Sequence, residues 1–208
     1  MTSHILPRLY LLTDRKQTLY RSLPSVVSQA VEAGARMVQI REKDLETRDL
    51  IALSHRLLPL IRQHQGIILL NDRIDLVIAL GVDGVHLRAE SLSVSIARGL
   101  LGTGRLIGIS THSVEEARVA EGEGADLIVL GPIFDTPSKR SYGPPLGVQV
   151  LHEACRTIRV PIYAIGGMTP TRISQVLSSG AYGVAVISSI LHAPSISVST
   201  RELLARLS

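Results

Sequence analysis

Short apolar runs alternate with longer amphipathic stretches along this chain. The apolar runs are four to six residues long, and most are continuous rather than interrupted by polar residues at every second position. Such runs are typical of parallel strands that helices cover on both faces. The pattern predicts eight strands, at residues 8–13, 37–41, 67–71, 84–87, 106–110, 127–131, 162–165 and 183–187.

The stretches between these runs show the three- to four-residue apolar spacing of amphipathic helices. Glycine often stands just past the last periodic residue, where a left-handed backbone ends a helix at little cost. Ser113 and Glu116 have the spacing of a capping box. The predicted helices cover residues 23–33, 47–63, 74–79, 93–100, 113–123, 148–157, 171–178 and 198–207.

Eight strand and helix units in a chain of 208 residues favour an α/β fold, a closed (β/α)8 TIM barrel. Because no linker-like change of composition interrupts the series, residues 1–208 are expected to form a single domain. A doubly wound open sheet is the alternative. Active sites of such barrels lie at the carboxyl ends of the strands, so polar residues at those ends become the functional candidates.

Composition and charge narrow the classes of function. The chain is 45% hydrophobic and 19% charged, which excludes a disordered protein. Its net charge of +4 is not concentrated in a cluster, and aromatic residues make up only 3%, so we expect no nucleic-acid partner. The apolar runs are too short to span a membrane. The single cysteine, Cys155, and an N-terminus without a signal-peptide pattern predict a cytoplasmic protein.

The second predicted strand ends in three polar residues that alternate along the chain. Alternation places Gln39, Arg41 and Lys43 on one side of the strand. Facing the barrel mouth, these residues would bind a polyanion, with Arg41 as a bidentate donor and Lys43 as a point charge. The alternative is a strand-end salt bridge with Glu42 or Asp44.

The third predicted strand ends in Asn71 and Asp72. An aspartate at such an end can hold Mg²⁺, which takes one or two protein carboxylates and completes its shell with substrate phosphate oxygens and water. It can equally cap the helix that starts at Ile74. Both interpretations of Asp72 stay open at this point.

The fourth and fifth predicted strands carry histidines. Histidine is the side chain best suited to exchange protons near neutral pH, so His112 is a candidate proton shuttle, and Ser110 can donate a hydrogen bond to a leaving phosphate. His86 lies between two apolar residues and is expected to be a hydrogen-bonded core histidine.

Glycine and hydroxyl groups dominate the ends of the last three predicted strands. The segment 131–147 is predicted to be an active-site loop, in which Thr136, Ser138 and Lys139 are candidates to bind phosphate oxygens. Gly166 and Gly167 follow strand seven, and Ser188 follows strand eight. Barrels of this fold frequently bind a phosphate group there through backbone amides, so the sequence predicts a phosphate site.

The motifs together resemble those of one family. They are Gln39-x-Arg41-x-Lys43, Asn71-Asp72, Gly84-Val85-His86-Leu87, Gly108-x-Ser110-x-His112-Ser113, Gly131-Pro132-Ile133, Thr136-x-Ser138-Lys139, Ala164-Ile165-Gly166-Gly167 and Ala185-Val186-Ile187-Ser188. The chain resembles the thiamine phosphate synthase and thiazole tautomerase (TenI) superfamily essentially from end to end.

The resemblance implies a transferase of thiamine biosynthesis that couples 4-amino-2-methyl-5-pyrimidinylmethyl diphosphate to a thiazole phosphate carboxylate and releases pyrophosphate. By family analogy the metal site is Asp72 with Mg²⁺, and the catalytic candidates are Ser110, His112 and Lys139. The implied pyrimidine diphosphate ligands are Gln39, Arg41, Lys43, Asn71, Ser110 and Lys139. The implied thiazole phosphate ligands are Thr136, Pro137, Ser138, Gly167, Ile187 and Ser188, and Gly166 beside them is a further candidate.

One position departs from the family pattern. The synthases usually carry a second Mg²⁺ aspartate where this chain has Ser91, within the segment His86-Leu87-Arg88-Ala89-Glu90-Ser91. Two alternatives are open for the missing carboxylate: Glu90 reaches the metal, or Arg88 replaces some of its charge. One alternative is therefore a TenI-type tautomerase, in which His112 would move a proton within the thiazole carboxylate phosphate. Another is a non-catalytic sensor of phosphorylated ligands. The expected partners are small phosphorylated substrates, with a homodimer as an open option.

Overall fold

Eight parallel strands close into a barrel in the order of the chain. The computed structural model describes residues 5–137, 140 and 143–208. Each strand pairs with the next, and the last pairs with the first through Leu9 and Val184, so the doubly wound alternative is wrong. The strands are β1 Leu9–Leu12, β2 Met37–Ile40, β3 Ile67–Asn71, β4 Gly84–Leu87, β5 Leu106–Thr111, β6 Leu127–Leu130, β7 Ile162–Ile165 and β8 Gly183–Val186.

A helix follows every strand, as the amphipathic pattern predicts. The α-helices are α1 Leu23–Glu32, α2 Thr47–Arg62, α3 Ile74–Leu80, α4 Val94–Leu101, α5 Val114–Gly122, α6 Gly147–Thr157, α7 Pro170–Ser178, α8 Ser188–Leu191 and α9 Ile196–Leu207. Among the elements that the structure describes in full, the four-residue helix α8 and the 3₁₀ helix η1 Arg15–Gln17 are not predicted by the sequence pattern. In the part of the chain that the structure describes, no helix combines the length and apolarity needed to cross a membrane.

Serine side chains cap four of the helices. Ser22, Ser93, Ser113 and Ser195 each accept a hydrogen bond from the backbone N–H three residues later. The predicted cap at Ser113 is confirmed, with its Oγ 3.1 Å from the Glu116 nitrogen. The Glu116 carboxylate reaches back to the His112 N–H at 2.7 Å. This cap therefore fixes the backbone that leaves β5 at the barrel mouth.

Alternate residues of each strand face opposite sides of the barrel wall. In β1, Leu9 packs outward in the cluster that contains the helix side chains, whereas Tyr10 packs in the interior cluster with Met37 and Tyr163. The Tyr10 and Tyr163 rings lie 5.7 Å apart, and the Tyr163 hydroxyl donates to the Pro7 carbonyl. Aromatic side chains thus fill the amino-terminal end of the barrel interior. Polar interior residues are left for the carboxyl end.

Candidate active site

Arg41 continues the interior row of β2 beyond Gln39. Its backbone N–H donates to Thr13 Oγ1 at 2.9 Å, which holds the end of β2 against that of β1. The side chain is half-buried, and burial lowers the pKa of its guanidinium while nearby acids, Glu42 and Asp72 among them, raise it. An arginine stays charged under these conditions. Arg41 therefore presents a partly desolvated cation, which attracts an anion more strongly than one in bulk water.

The acids beside Arg41 pair with the first loop. Glu42 accepts from Thr13 Oγ1 at 2.7 Å and from Arg15 Nη1 at 3.1 Å. Asp44 accepts from Arg15 Nη1 at 2.6 Å, and this contact holds the pKa of the Asp44 carboxyl well below its usual range. Among the described residues, Glu42 and Asp44 therefore form ion pairs with Arg15 and Lys16 of the first loop, and not with Arg41 as the alternative for this strand end required.

A chain of amides links β2 to β3 at the mouth. Gln39 is fully buried, and its Nε2 donates to Asn71 Oδ1 at 3.0 Å. Asn71 Nδ2 donates in turn to Asp72 Oδ2 at 3.3 Å. Because an ionised carboxylate only accepts, Asp72 requires the amide nitrogen of Asn71 to face it, and this leaves the Asn71 oxygen for Gln39. The Asp72 charge thus sets the orientation of both amides.

Asp72 does not cap the following helix, so that interpretation is wrong. The residue before α3 is Arg73, and it makes no side-chain cap. Asp72 has a left-handed backbone with a φ of 59°, which turns its carboxylate toward β4. There Oδ1 accepts from the Arg88 N–H at 3.0 Å and Oδ2 forms an ion pair with Arg88 Nε. Asp72 is therefore bound by an arginine from the loop that follows β4.

Lys43 and Asp72 share one cavity, as the strand-end positions predict. The cavity has a volume of about 230 Å³. It is lined by Ile40, Glu42, Lys43, Leu45, Leu50, Asn71, Asp72, Arg73 and Arg88. Across the described ranges, no cluster of three or more histidine, cysteine, aspartate or glutamate side chains could hold a metal ion.

His86 supports Ser110 from inside the barrel. Its Nδ1 lies 3.3 Å from the Tyr10 hydroxyl and its Nε2 lies 3.0 Å from Ser110 Oγ. Burial lowers the pKa of His86 to about 3, so the ring is neutral and carries one proton. Gly108 makes room for this ring, since a Cβ there would lie 2.7 Å from His86 Nδ1. The expectation of a hydrogen-bonded core histidine is confirmed.

The proton positions in this chain follow from donor and acceptor counts. Tyr10 has no other acceptor for its hydroxyl proton among the residues described, so it donates to His86 Nδ1. His86 Nε2 then carries the ring proton and donates to Ser110 Oγ. The Ser110 hydroxyl proton is thereby left for a ligand at the mouth.

His112 is exposed at the end of β5 and is oriented by a backbone carbonyl. Its Nδ1 lies 2.6 Å from the Gly131 oxygen. Because a carbonyl only accepts, Nδ1 carries the proton and Nε2 is the acceptor in the neutral ring. A histidine held in this tautomer can take up a proton at Nε2, as the sequence-based role of proton shuttle requires.

The loops after β6, β7 and β8 pack against one another. The Phe134 N–H donates to the Gly166 carbonyl at 3.2 Å. Gly167 has a φ of 65°, and a Cβ there would lie 2.7 Å from the Asp135 oxygen. Ser189 Oγ donates to the Met168 carbonyl and ties the start of α8 to the β7 loop.

These contacts bring together the residues expected to bind a phosphate. Thr136 and Pro137 directly follow the 134–135 segment, Gly166 and Gly167 follow β7, and Ile187 and Ser188 lead into α8. Ser138 and Lys139, also expected here, lie outside the described residues.

Two arginines of the mouth make contacts that the sequence pattern does not predict. Arg88 binds Asp72, and Arg172 donates to the Gly167 carbonyl at 2.6 Å while lying 4.7 Å above the Phe134 ring. Two signals pointed to Arg88: it lies two positions beyond His86, on the same side of β4, and it belongs to the segment that lacks the second aspartate of the family pattern. Arg172 lies within α7, and no strand-end pattern indicates its contact.

The sequence and fold of this chain match proteins of known family. Residues 9–190 match the family model of thiamine monophosphate synthase. The chain is 44% identical over 199 residues to a putative thiamine-phosphate synthase of Geobacter sulfurreducens, covering 96% of this chain and 93% of that protein. It is 40% identical over 194 residues to a thiamine-phosphate synthase of Roseiflexus sp., covering 93% and 82%.

Solved structures show the same similarity. Thiamine phosphate pyrophosphorylase from Pyrococcus furiosus superposes with a TM-score of 0.88 at 31% identity, over 96% of this chain and 95% of that one. A 3-hexulose-6-phosphate synthase, at 15% identity and a TM-score of 0.71 over 97% and 100%, shares the fold alone. With the matched region running from β1 into α8, this chain belongs to the thiamine monophosphate synthase family.

Proposed function

We propose that this protein is a transferase of thiamine biosynthesis, a thiamine phosphate synthase. It couples 4-amino-2-methyl-5-pyrimidinylmethyl diphosphate to a thiazole phosphate carboxylate and releases thiamine phosphate, pyrophosphate and CO₂. The observation that carries the proposal is the order of groups around the mouth. Cationic and amide side chains follow β2 to β4, and glycine and hydroxyl groups follow β6 to β8. Ser110, at the end of β5, lies between the two sets.

The pyrimidine diphosphate belongs at the cationic set. The residues that would hold it are Gln39, Arg41, Lys43 and Asn71, together with Ser110 of β5 and Lys139 from the segment after β6. Gln39 is fully buried and acts by holding the Asn71 amide. Arg41 binds the diphosphate through its guanidinium, while the Ser110 hydroxyl donates a hydrogen bond to the leaving group. Each of these interactions strengthens as negative charge develops on the departing pyrophosphate.

The thiazole phosphate belongs at the glycine and hydroxyl set. Its ligands would be Thr136, Pro137, Ser138, Gly166, Gly167, Ile187 and Ser188. Support comes from the left-handed backbones at both glycines and from the contacts that join the three loops. Backbone N–H groups in such loops are common phosphate donors in this fold.

The coupling step follows from these two positions. The bond between the pyrimidine methylene and the diphosphate oxygen breaks, and both electrons leave with pyrophosphate. The electron-rich aminopyrimidine carries the positive charge until the thiazole nitrogen donates its lone pair to the methylene carbon. When the thiazole carries a carboxylate, loss of CO₂ leaves the electron pair on the ring carbon, which a proton then fills.

Mg²⁺ is proposed as an ion that arrives with the diphosphate. Mg²⁺ binds one or two protein carboxylates and takes its remaining ligands from substrate phosphates and water. Asp72 supplies one carboxylate at the mouth, and Ser91 stands where the family pattern has a second. Because Asp72 is already paired with Arg88, an ion that arrives with the diphosphate would bind this carboxylate only by displacing Arg88. When bound, Mg²⁺ would neutralise charge on the departing pyrophosphate.

One observation favours the tautomerase as a second candidate. The His112 tautomer, set by the Gly131 carbonyl, leaves Nε2 ready to accept a proton from a thiazole carboxylate phosphate. The full cationic set around Arg41 and Lys43 would have no use in that reaction, which supports the synthase.

The deciding assay incubates the purified protein with both phosphorylated substrates and Mg²⁺. We expect thiamine phosphate and pyrophosphate to form together. Thiazole isomerisation is followed in a second reaction without the pyrimidine. Isomerisation without coupling would replace the synthase by the tautomerase, and binding without either reaction would indicate the ligand sensor.

A cytoplasmic homodimer is proposed as the form of the protein in the cell. Support comes from exposed apolar side chains on neighbouring helices, Ile78 on α3 and Ile96 and Leu100 on α4, which a second copy of the chain would cover. Light scattering after size exclusion tests the mass, and a monomer would contradict the proposal. Cell fractionation tests the location.

A further inference from the structure

Arg88 holds Asp72 by two separate contacts. Its backbone N–H donates to Oδ1 at 3.0 Å, and its side-chain Nε pairs with Oδ2. The backbone contact positions the residue, and the side-chain contact neutralises the carboxylate. The strand-end carboxylate of this chain is therefore occupied by a cation that belongs to the protein.

The guanidinium of Arg88 still has donors to offer. Its Nε is used by Asp72, whereas Nη1 and Nη2 donate no hydrogen bond to any residue that the structure describes. The Arg88 side chain is 53% exposed and the Asp72 side chain only 15%, so the carboxylate is covered and the guanidinium lies on the solvent side. Both residues line the cavity that also contains Lys43. The unused N–H groups are therefore within reach of a ligand in that cavity.

The charges around this cavity favour an anion. Lys43 and Arg88 line it, and Arg41 lies close enough for Asp72 and Arg88 to shift its pKa in opposite directions. Glu42 is paired with Arg15 of the first loop. The lining groups Lys43, Arg73 and Arg88 carry three positive charges against the two negative charges of Glu42 and Asp72, so the cavity lining has a net positive charge. A diphosphate, with several negative oxygens, matches the sign of this charge.

A metal ion alone is poorly accommodated at the same place. It would have to displace Arg88 from Asp72, and it would find no cluster of three ligating side chains within the described residues. A guanidinium offers fixed positive charge together with directed N–H donors. It can therefore do at this point part of what a divalent cation does for a diphosphate.

We propose that Arg88 is a diphosphate-binding residue of this site, whose guanidinium bridges Asp72 and the ligand oxygens when no metal ion is bound. This proposal rests on the proposed function in one respect, the choice of a diphosphate as the ligand. Arg88 binds pyrophosphate in the absence of Mg²⁺, and it competes with divalent cations for Asp72 in the empty protein.

Inorganic pyrophosphate is the probe, titrated calorimetrically into the full chain in EDTA. We expect Arg88→Ala to weaken pyrophosphate binding at least tenfold. Arg88→Lys, which keeps a charge but loses the planar donor set, should bind with intermediate affinity. Arg118→Ala removes the same charge from an exposed pair on α5 and should bind like the original protein. Circular dichroism shows which variants are folded, and Arg88→Gln replaces Arg88→Ala if the latter is not.

A second titration uses Mn²⁺ alone, with free Mn²⁺ counted by electron paramagnetic resonance. We expect the original protein to bind Mn²⁺ several-fold more weakly than Arg88→Ala, because only the variant leaves Asp72 uncovered. Equal pyrophosphate affinity of the original protein and Arg88→Ala in EDTA would overturn the proposal. So would pyrophosphate binding by the original protein that requires Mg²⁺.

The outcome separates this proposal from the coupling reaction. Pyrophosphate binding is measured without the pyrimidine or the thiazole. Loss of binding in Arg88→Ala together with no coupling by the original protein would support the diphosphate site and reject the synthase. Coupling by the original protein together with unchanged binding in Arg88→Ala would do the reverse.

Discussion

His86 Nε2 lies 3.0 Å from Ser110 Oγ, and this contact connects the barrel interior to the mouth. The histidine is held from below by Tyr10, whose ring lies 5.7 Å from it. A neutral ring donates to the serine and leaves the serine proton for a substrate. His86 is therefore a positioning residue for Ser110 and does not itself exchange a proton with the substrate.

The first prediction concerns this positioning role. Ser110→Ala should lower kcat for coupling by about tenfold to a hundredfold, because one donor to the leaving pyrophosphate is lost. His86→Gln keeps one acceptor and one donor and should retain most of the activity, whereas His86→Ala should lose about as much as Ser110→Ala. The double variant His86→Ala/Ser110→Ala should be no slower than Ser110→Ala. Additive losses, measured by steady-state kinetics, would show that His86 acts independently of the serine.

The second prediction is a dependence of stability on pH. Burial lowers the pKa of His86 from 6.5 to about 3 in the folded protein. Between these values the unfolded chain binds a proton and the folded chain does not, so the free energy of unfolding falls as the pH decreases from 6.5 toward 3. Above pH 6.5 His86 is neutral in both the folded and the unfolded protein, so its ionisation no longer lowers the free energy of unfolding. Urea unfolding at a series of pH values should show a steeper acid slope for the original protein than for His86→Gln, by about 1.4 kcal/mol per pH unit at most. Parallel slopes would mean that His86 is protonated in the folded protein.

The third prediction concerns the cation at the end of β2. Arg41→Ala should lower kcat/KM for coupling by about a hundredfold or more, since a partly desolvated charge facing the diphosphate is removed. The melting temperature should change little, because Arg41 is anchored through its backbone N–H, which the variant keeps. Arg118→Ala, on the outer face of α5, is the matched control and should couple normally. Normal turnover by Arg41→Ala would remove this residue from the diphosphate site.

The fourth prediction separates the two activities through His112. In a tautomerase the histidine moves the proton itself, so His112→Ala should abolish isomerisation, a loss of about a hundredfold or more. In a synthase the same change should only slow coupling, because no proton leaves the thiazole before the new bond forms. Both reactions are measured on the same preparation. Full isomerisation by His112→Ala would exclude it as the proton shuttle.

Much of this architecture was predictable from the pattern of apolar residues. The eight runs correspond to eight strands, and the closed barrel then places Lys43 and Asp72 at one cavity. The pairing of Asp72 with Arg88 was not predictable, because it depends on a left-handed backbone at an aspartate, which propensity does not indicate. The pattern of apolar residues does not predict helix α8 either, since four residues are too few to show a helical period.

The last prediction tests the loop after β7. Gly167 has a φ of 65°, and a Cβ added there would lie 2.7 Å from the Asp135 oxygen and 2.9 Å from Arg172 Nη1. Gly167→Ala must therefore push the 134–135 segment away, and we expect a loss of about 1 to 3 kcal/mol in the free energy of unfolding. Affinity for the thiazole phosphate should fall. Pyrophosphate binding should be unchanged, because the cationic residues lie at the ends of β2 to β4 and Gly167 lies after β7. Gly99→Ala is the control, since a Cβ on that α4 residue meets no atom within 4 Å and should stabilise the helix slightly. Thiazole phosphate affinity equal to that of the original protein would place the phosphate away from Gly167.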